Sequence, residues 1–448
     1  QSELCVIYSL LCFTALWAAS RPTMPLWLKY GVSCIPATLR APLWRNMFLL
    51  ILLLWTWFTL SKQIANGIHG VYGADAIAFV HVDADLLRQG HNPYTADDAF
   101  WAAEERWPTS LATPLLGSEA FGNNPRSYPT PSHMSAILTF EIAHPQARDA
   151  GNFDPQTVHN YPAGIIWLAA IYAWVGIPSM MWLNVTFFLL LLAIVITRAP
   201  ATMRVPLAVA LLANPSVMLY DMLVNFDVVC LFFVVAAWNW QQHERSSALL
   251  MGVACAVKQL AWFMMPFYLV EVIRRDGWRA ALRRSGWMAA AFILPNLPFM
   301  LRSPGAWLHS MVIPMTDPEF PLGFGPINLG LSGVVPLGTP RGWMFLVVGL
   351  MLALLAFQWL RRSVTSDGIF LSLLPLWISW RSPMNYLALL PVLAAWVAFN
   401  HYARTATSSE KDISASQQPI RVAVDLPAGK DISSNGRHDP KPANIAGG

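Results

Sequence analysis

The sequence predicts an all-α, polytopic membrane protein with about ten transmembrane helices and a large first extracytoplasmic loop. Three observations predict it. Of the 448 residues, 55% are hydrophobic and only 12% charged, where a soluble domain carries about 25% charged. The apolar residues gather in runs that reach or approach the ~20 needed to span a bilayer, while polar residues concentrate at 62–160 and from about 403 onward. The runs show no period-2 alternation, so helices rather than a barrel satisfy the backbone inside lipid. The net charge of +4 says little about partners, because most basic residues fall in loops. Membrane lipids are the expected surroundings, and nucleic acid is not an expected partner.

Lys29, Arg40 and Arg45 precede the first clear span, about 46–62. Lys and Arg favour the cytoplasmic side, so this span runs outward and the polar stretch 63–160 is an outer loop. The next apolar stretch, 161–176 (YPAGIIWLAAIYAWVG), is short for a span and rich in Trp and Tyr. It suits a helix lying in the outer interface, which extends the outer loop over 63–177. Spans then follow at 178–197, about 203–219 and about 227–241, with a hairpin of two short helices over 247–273. The spans 286–301, 342–360, about 369–381 and 384–401 complete the set, and 302–340 forms a second outer loop. In this order Arg198, Arg204, His243–Arg245, RRDGWRAALRR (274–284) and Arg361–Arg362 all fall inside. The competing order, in which 161–176 and 247–273 each cross once, leaves Arg198, Arg204 and Arg245 outside, against the positive-inside rule.

The membrane domain is therefore 46–402, and the chain is expected in the inner (plasma) membrane. Residues 403–448 mix Ser, Asp, Lys and Pro without apolar periodicity and read as a disordered cytoplasmic tail. The segment 1–45 holds an apolar stretch at 5–19 that stands open between a degraded signal, an extra crossing and a mis-assigned start. The five cysteines, Cys5, Cys12, Cys34, Cys230 and Cys255, have no metal-ligand spacing and read as small packing residues. No cofactor is indicated by a motif, and a divalent metal is left open.

The outer loop opens with HGVYGADAIAFVHVDADLLRQGHNPY (69–94). Good helix formers run from Asp75 to a stop at Gly90, with Pro93 just beyond. At ~100° per residue Phe79, Val82 and Leu86 share a stripe headed by Asp75, while His81, Asp85 and Arg88 point the other way. Such a helix is expected to lie along the membrane with its apolar side down. Asp75 reads either as a helix-start carboxylate stabilised by the dipole or as an acid aimed at the bilayer boundary. Asp83 and Asp85 read as solvated acids or as an Asp-Ala-Asp site. Asp227 reads as an N-terminal cap or a site residue. Lys258, inside LLMGVACAVKQLAWFMMPFYLV, costs about 2.5–3.5 kcal/mol on insertion scales and is either functional or snorkelling. Arg381, opening WRSPMNYLALLPVL, is either a snorkelling end or an anion partner. A carboxylate helix and two isolated cations converging on the outer surface suit transfer of a group from a lipid phosphate.

The order of these elements resembles the GT-C superfamily of integral-membrane glycosyltransferases, and within it the bacterial branch of polyprenyl-phosphate-mannose-dependent α-mannosyltransferases. The matching pieces are Asp75 with LLRQGHNPY (86–94), YPAG (161–164), NPSVML…NFD (214–227), GVACAVKQLAWFMMP (252–266) and RSPMNYLALLP (381–391), spread over about 50–400. The resemblance implies inverting transfer of mannose or another hexose from a polyprenyl-phosphate donor. The acceptor would be a glycolipid or glycan of the cell envelope, met at the extracytoplasmic face. It implies Asp75 as base, with Asp83 second, and donor-phosphate contacts from Lys258 and Arg381. Asp227, Asn92, Tyr94, Tyr161 and Tyr386 would contact substrate. The branch often has Gly-Gln where this chain has Asn225-Phe226-Asp227, which bears on sugar or acceptor choice. The loop 100–158, with FGNNPRSYPTPSH, is longer than the branch pattern and could shape the acceptor site. The readings weighed against this are a transporter or flippase for a lipid-linked or anionic substrate, and a non-catalytic assembly subunit. A roughly hundred-residue outer loop and the lack of internal repeats argue against the transporter.

Overall fold

The computed structural model describes residues 2–19, 42–95, 106, 108, 111–144, 159–316, 318–361 and 367–416. The outer-loop residues 145–158 lie outside the described residues; of the tail 403–448 expected to be disordered, residues up to Ser416 are helical and 417–448 lie outside the described residues. The chain divides into a unit of Gln1–Ala403 and a second of Arg404–Gly448. Among the described residues of the first unit, regular structure is helical apart from one short parallel strand pair and an isolated bridge.

Its helices, in chain order, are α1 (Ser2–Ala19), α2 (Pro42–Ile68), α3 (Asp75–Arg88), α4 (Pro131–Ala143), α5 (Ala163–Trp174), α6 (Met181–Arg198) and α7 (Ala201–Leu212). There follow α8 (Asp227–Asn239), α9 (Glu244–Val257), α10 (Leu260–Asp276), α11 (Trp278–Arg302), α12 (Pro304–Thr316) and α13 (Ile327–Leu331). The last are α14 (Pro340–Leu360), α15 (Gly368–Trp377), α16 (Asn385–Ala388) and α17 (Leu390–Ser416). The final helix therefore continues past the boundary drawn at 402. Strands β1 (Leu322–Gly323) and β2 (Arg381–Ser382) pair in parallel.

Four described stretches are long and apolar enough to cross a membrane: Pro42–Ile68, Met181–Arg198, Pro340–Leu360 and Asn385–Ala403. Together with the shorter apolar helices they mark a membrane protein. The other expected spans are shorter or less uniform than their hydropathy suggested. Helices α7, α8 and α15 have 12, 13 and 10 residues, or about 15–20 Å at 1.5 Å per residue. Helix α11 is 25 residues long but begins with a basic turn and carries Pro295 and Pro298 inside.

The basic clusters share one end of the bundle. Arg198 donates to Asn239 Oδ1 at 2.7 Å. Arg275 donates to Gln241 Oε1 at 2.8 Å and Arg284 to the Gln241 carbonyl at 2.9 Å. Arg274 reaches the Gln358 carbonyl at 2.8 Å. The ends of α6, α8, α9, α10, α11 and α14 therefore meet, where the competing topology would divide Arg198 and Arg245 from 274–284. The 247–273 region is two helices broken at Lys258, whose backbone is extended. Ser247, early in α9, lies 2.6 Å from the hydroxyl of Tyr268, late in α10. The two helices thus run antiparallel, with Lys258 at their tip.

Helix α5 has 12 residues, about 18 Å, well short of the ~30 Å hydrocarbon core. Gly164 lets it approach the tip: a Cβ there would lie 2.5 Å from the Ala256 carbonyl oxygen. If α5 does not cross, Thr202 is cytoplasmic. This exposed residue, replaced by cysteine, is expected to resist an impermeant thiol reagent in intact cells and to react once the membrane is opened. Labelling in intact cells would reverse the orientation of α6 and α7.

Helix α3 departs from the expected surface helix. It begins at Asp75, and the chain turns away at Gly90, whose φ of +82° suits glycine. Yet Ile77 through Ala84 are all buried. Helix α5 covers one side, and polar partners cover the faces assigned to water. His81 Nδ1 accepts from the Tyr72 hydroxyl at 2.7 Å, and that hydroxyl accepts from the Met180 amide at 2.9 Å. Burial and the neighbouring Arg106 charge pull the His81 pKa down to about 3, so the ring is neutral. Asp83, read from sequence as a solvated acid, is fully buried.

Candidate active site

At the end of the bundle opposite the basic clusters, five separate segments bring together five charged side chains. Asp75, half-buried at the head of α3, accepts from its own Ala76 amide at 2.8 Å and from the Thr113 amide at 3.0 Å. Its oxygens thus face out of the helix toward the loop at 113, and the Arg381 charge acts on them. Burial nonetheless holds this carboxyl above the usual carboxylate range; the Thr113 hydrogen bond and Arg381 offset only part of the shift.

Arg381 sits in β2, beside β1, with Leu322 paired to Arg381 and Gly323 to Ser382. Its Nη1 lies 2.7 Å from Glu319 Oε2 and donates to the Phe320 carbonyl at 3.3 Å. Glu319 is held to the outer loop by a bridge to Leu115. Burial raises its carboxyl, and the Arg381 charge opposes that rise. Tyr128, in the outer-loop sequence FGNNPRSYPTPSH, lies in the fields of Arg381, Asp75 and Glu319. The strand pair depends on close backbone approach, because a Cβ on Gly325 would collide with the Trp377 carbonyl. Gly325→Ala is therefore expected to displace the strands that seat Arg381 and to destabilise the fold by about 1–3 kcal/mol. Melting temperature in detergent measures this; an unchanged value would show that the strap yields freely.

Lys258 at the hairpin tip is 2.5 Å from Asp227 Oδ1, and Asn385 donates to Asp227 Oδ2 at 2.6 Å. Asp227 is thus a partner of the lysine and not a cap; Asn225 takes the capping role by accepting from the Asp227 amide at 2.7 Å. The Lys258 ammonium stands 5.2 Å from the centre of the Tyr161 ring, a cation–π arrangement. Lys258 is therefore enclosed by partners and does not snorkel. Tyr386 lies in the combined field of Lys258, Asp227, Glu319 and Arg381, and Tyr161 in that of Lys258, Asp75 and Asp227. Tyr386 thus feels both cations, and Tyr161 feels Lys258 and Asp75.

The other candidates serve neighbouring contacts. The Tyr94 hydroxyl donates to the Tyr161 carbonyl at 2.9 Å. Asn92 accepts from the Tyr94 amide at 3.1 Å and donates to Ser303 at 3.2 Å. Asp83 faces His159, away from solvent, at 2.5 Å. Glu319, Tyr128 and Asn385 were missed by sequence reasoning. Glu319 is one of two acids in the second outer loop, with Asp317, and Asn385 stands inside a motif already singled out, so both carried a usable signal. Among the described residues, no three His, Cys, Asp or Glu side chains are grouped to hold a metal ion.

Asp75, Asp227 and Glu319 oppose Lys258 and Arg381, so the site carries more carboxylates than cations. Such an arrangement can accept a proton at Asp75 while presenting fixed positive charge a few residues away. Each cation keeps spare donors: an ammonium has three N–H groups and a guanidinium five. Pairing with a carboxylate therefore leaves room for an anionic oxygen.

No curated protein and no solved structure matches the chain. Residues 159–374 match the model of glycosyltransferase family 87, a stretch that includes Tyr161, Asp227, Lys258 and Glu319 but not Asp75 or Arg381. Taken with the apolar helices, the match to glycosyltransferase family 87 supports a membrane glycosyltransferase.

Proposed function

We propose that the protein transfers a hexose, mannose first among the candidates, from a polyprenyl-phosphate donor to an acceptor glycolipid or glycan. The reaction takes place at the extracytoplasmic face of the plasma membrane and inverts the anomeric centre. The observation that carries this reading is the half-buried Asp75 carboxylate at the head of α3, in the field of Arg381 and beside the tyrosine that underlies Lys258.

In the proposed step Asp75 takes the proton of the acceptor hydroxyl while its oxygen attacks the anomeric carbon. The bond from that carbon to the phosphate oxygen breaks, and its electron pair leaves with the polyprenyl phosphate, which gains one negative charge. Lys258 and Arg381 stabilise that charge without releasing Asp227 or Glu319. A single displacement inverts the centre, and in this reading the reacting groups lie on the side where lipid-linked sugars are presented.

Purified protein in liposomes, supplied with radiolabelled polyprenyl-phosphate hexoses and a membrane glycolipid extract, tests the reading. Transfer of label to acceptor is expected. Failure with every such donor, alongside transfer from a nucleotide sugar, would overturn it.

A further inference from the structure

The close contact between Asp83 and His159 has no part in the mechanism above. Both side chains are shut off from solvent, with Asp83 Oδ2 2.5 Å from His159 Nδ1. Burying a carboxyl and an imidazole together carries a desolvation cost that a well-packed apolar pair would avoid. What the pair connects gives it a use.

His159, Asn160 and Tyr161 form one short strap with four attachments. His159 joins Asp83 on α3. The His159 ring lies edge-on between Tyr94 and Tyr161, with centroids 5.5 Å away in both cases. The Gln259 side-chain amide donates to the Asn160 carbonyl. Finally, the Tyr161 ring carries the Lys258 ammonium. The helix that begins with Asp75 is thereby tied, eight residues further on, to the hairpin tip bearing Lys258. The strap also leads directly into α5, which packs on both α3 and α9.

We propose that the Asp83–His159 pair is a positioning element for group transfer: it fixes the strap at 159–161 and so sets the place of Lys258 relative to Asp75. An apolar pair would fill the same volume without a polar contact, whereas a carboxyl and an imidazole 2.5 Å apart and shut off from water depend on each other, which disfavours other registers of strap on helix. This rests on the functional reading above, since it presumes that Asp75 and Lys258 act on one substrate. Asp83 is on this account a positioning residue and not a second base.

The test uses the full chain in liposomes and three variants. Asp83→Asn keeps an acceptor for the imidazole, and His159→Phe keeps a ring between Tyr94 and Tyr161. The double variant Asp83→Leu/His159→Phe removes both polar groups together, so neither is left buried alone. Backbone hydrogen exchange at 258–262 is expected to speed by ten-fold or more in the double variant, with exchange at 244–250 unchanged. In the same variant kcat should fall on the order of 10²-fold, the loss associated with misplacing a reacting group by about 1 Å, while the donor KM moves less than about three-fold. Asp83→Asn should fall between wild type and double variant in both measures.

A folded double variant with wild-type exchange at 258–262 and wild-type kcat would reduce the pair to packing and overturn the proposal. If the wild-type protein transfers no sugar from any polyprenyl-phosphate donor, the functional reading fails by itself. The exchange measurement then still decides whether the pair governs the hairpin tip.

Discussion

Replacement of Asp75 by Asn is expected to lower turnover by a factor on the order of 10²–10⁴, with donor binding retained. An acceptor hydroxyl is a weak nucleophile at neutral pH, and its proton must leave as the new bond forms. Asn keeps the shape of the side chain, and its carbonyl oxygen can still accept from the Ala76 or Thr113 amide. What disappears is basicity. Because burial raises the Asp75 carboxyl, the acid limb of the kcat/KM profile should lie above the ordinary carboxylate range, with activity lost as pH falls through that limb. Stability follows the opposite sign. A carboxyl whose folded pKa exceeds its unfolded value contributes stability below the unfolded pKa, and that contribution is lost as pH rises through the folded one. At neutral pH the ionised Asp75 therefore weakens the fold, and Asp75→Asn should melt at the same or a higher temperature. A dead variant that also melts lower would point to a structural role. If instead Asp83→Asn is the inactive variant and Asp75→Asn turns over normally, the base assignment fails.

The second large effect is expected at the cations. Lys258→Ala or Arg381→Ala removes a charge-assisted contact of roughly 1.5–3 kcal/mol to the donor phosphate, so donor affinity should fall ten-fold or more in either variant. Lys258→Ala has a further consequence. It strands Asp227, which is fully buried and otherwise held by Asn385, and breaking such a pair costs about 3–5 kcal/mol. The combination Lys258→Met/Asp227→Asn removes both charges and should recover most of the lost stability while leaving donor affinity low. Titration with polyprenyl phosphate, read beside melting curves, separates the two terms. Unchanged affinity in both single variants would remove the phosphate role.

Local chemistry was the part of this architecture open to sequence reasoning. The start of α3 at Asp75 and its end near Gly90 follow from an acidic first turn and a glycine stop. The break between α9 and α10 follows from placing a lysine in an apolar run too long for one helix and too short for two full spans. Pairing across the chain was not accessible. Arg381 meets Glu319, and Asp83 meets His159, because α5 and the outer loops bring distant segments together; periodicity reports a residue's own helix and not what that helix packs against. For the same reason His81 and Asp83, on a face that looked solvated, are buried beneath partners from other segments. Hydropathy also overstated the length of α7, α8 and α15, since a run that includes its flanking turns reads longer than its helix.

Helix α2 carries a consequence of another kind. It has 27 residues, and only Thr56, Leu60 and Gly67 are buried. Leu43, Trp44, Phe48, Ile51, Leu54, Trp55 and Phe58 all face outward. At 1.5 Å per residue it is about 40 Å long, but its apolar run, about 46–62, spans only about 25 Å, somewhat less than the ~30 Å hydrocarbon core. It is joined to the bundle by a hydrogen bond from Thr56 to the Ala213 carbonyl and, near its outer end, by Ser179 donating to the Gly67 carbonyl. The polar turns at both ends, including Arg45 and Lys62, extend beyond the apolar run, and a run shorter than the core is met by local thinning of the bilayer or by flanking side chains that reach the interface. Gly67 lies only eight residues before Asp75, so hydrophobic mismatch is felt at the rim of the site. Turnover should therefore depend on the acyl-chain length of the lipids around the protein, with no change in any residue that touches substrate.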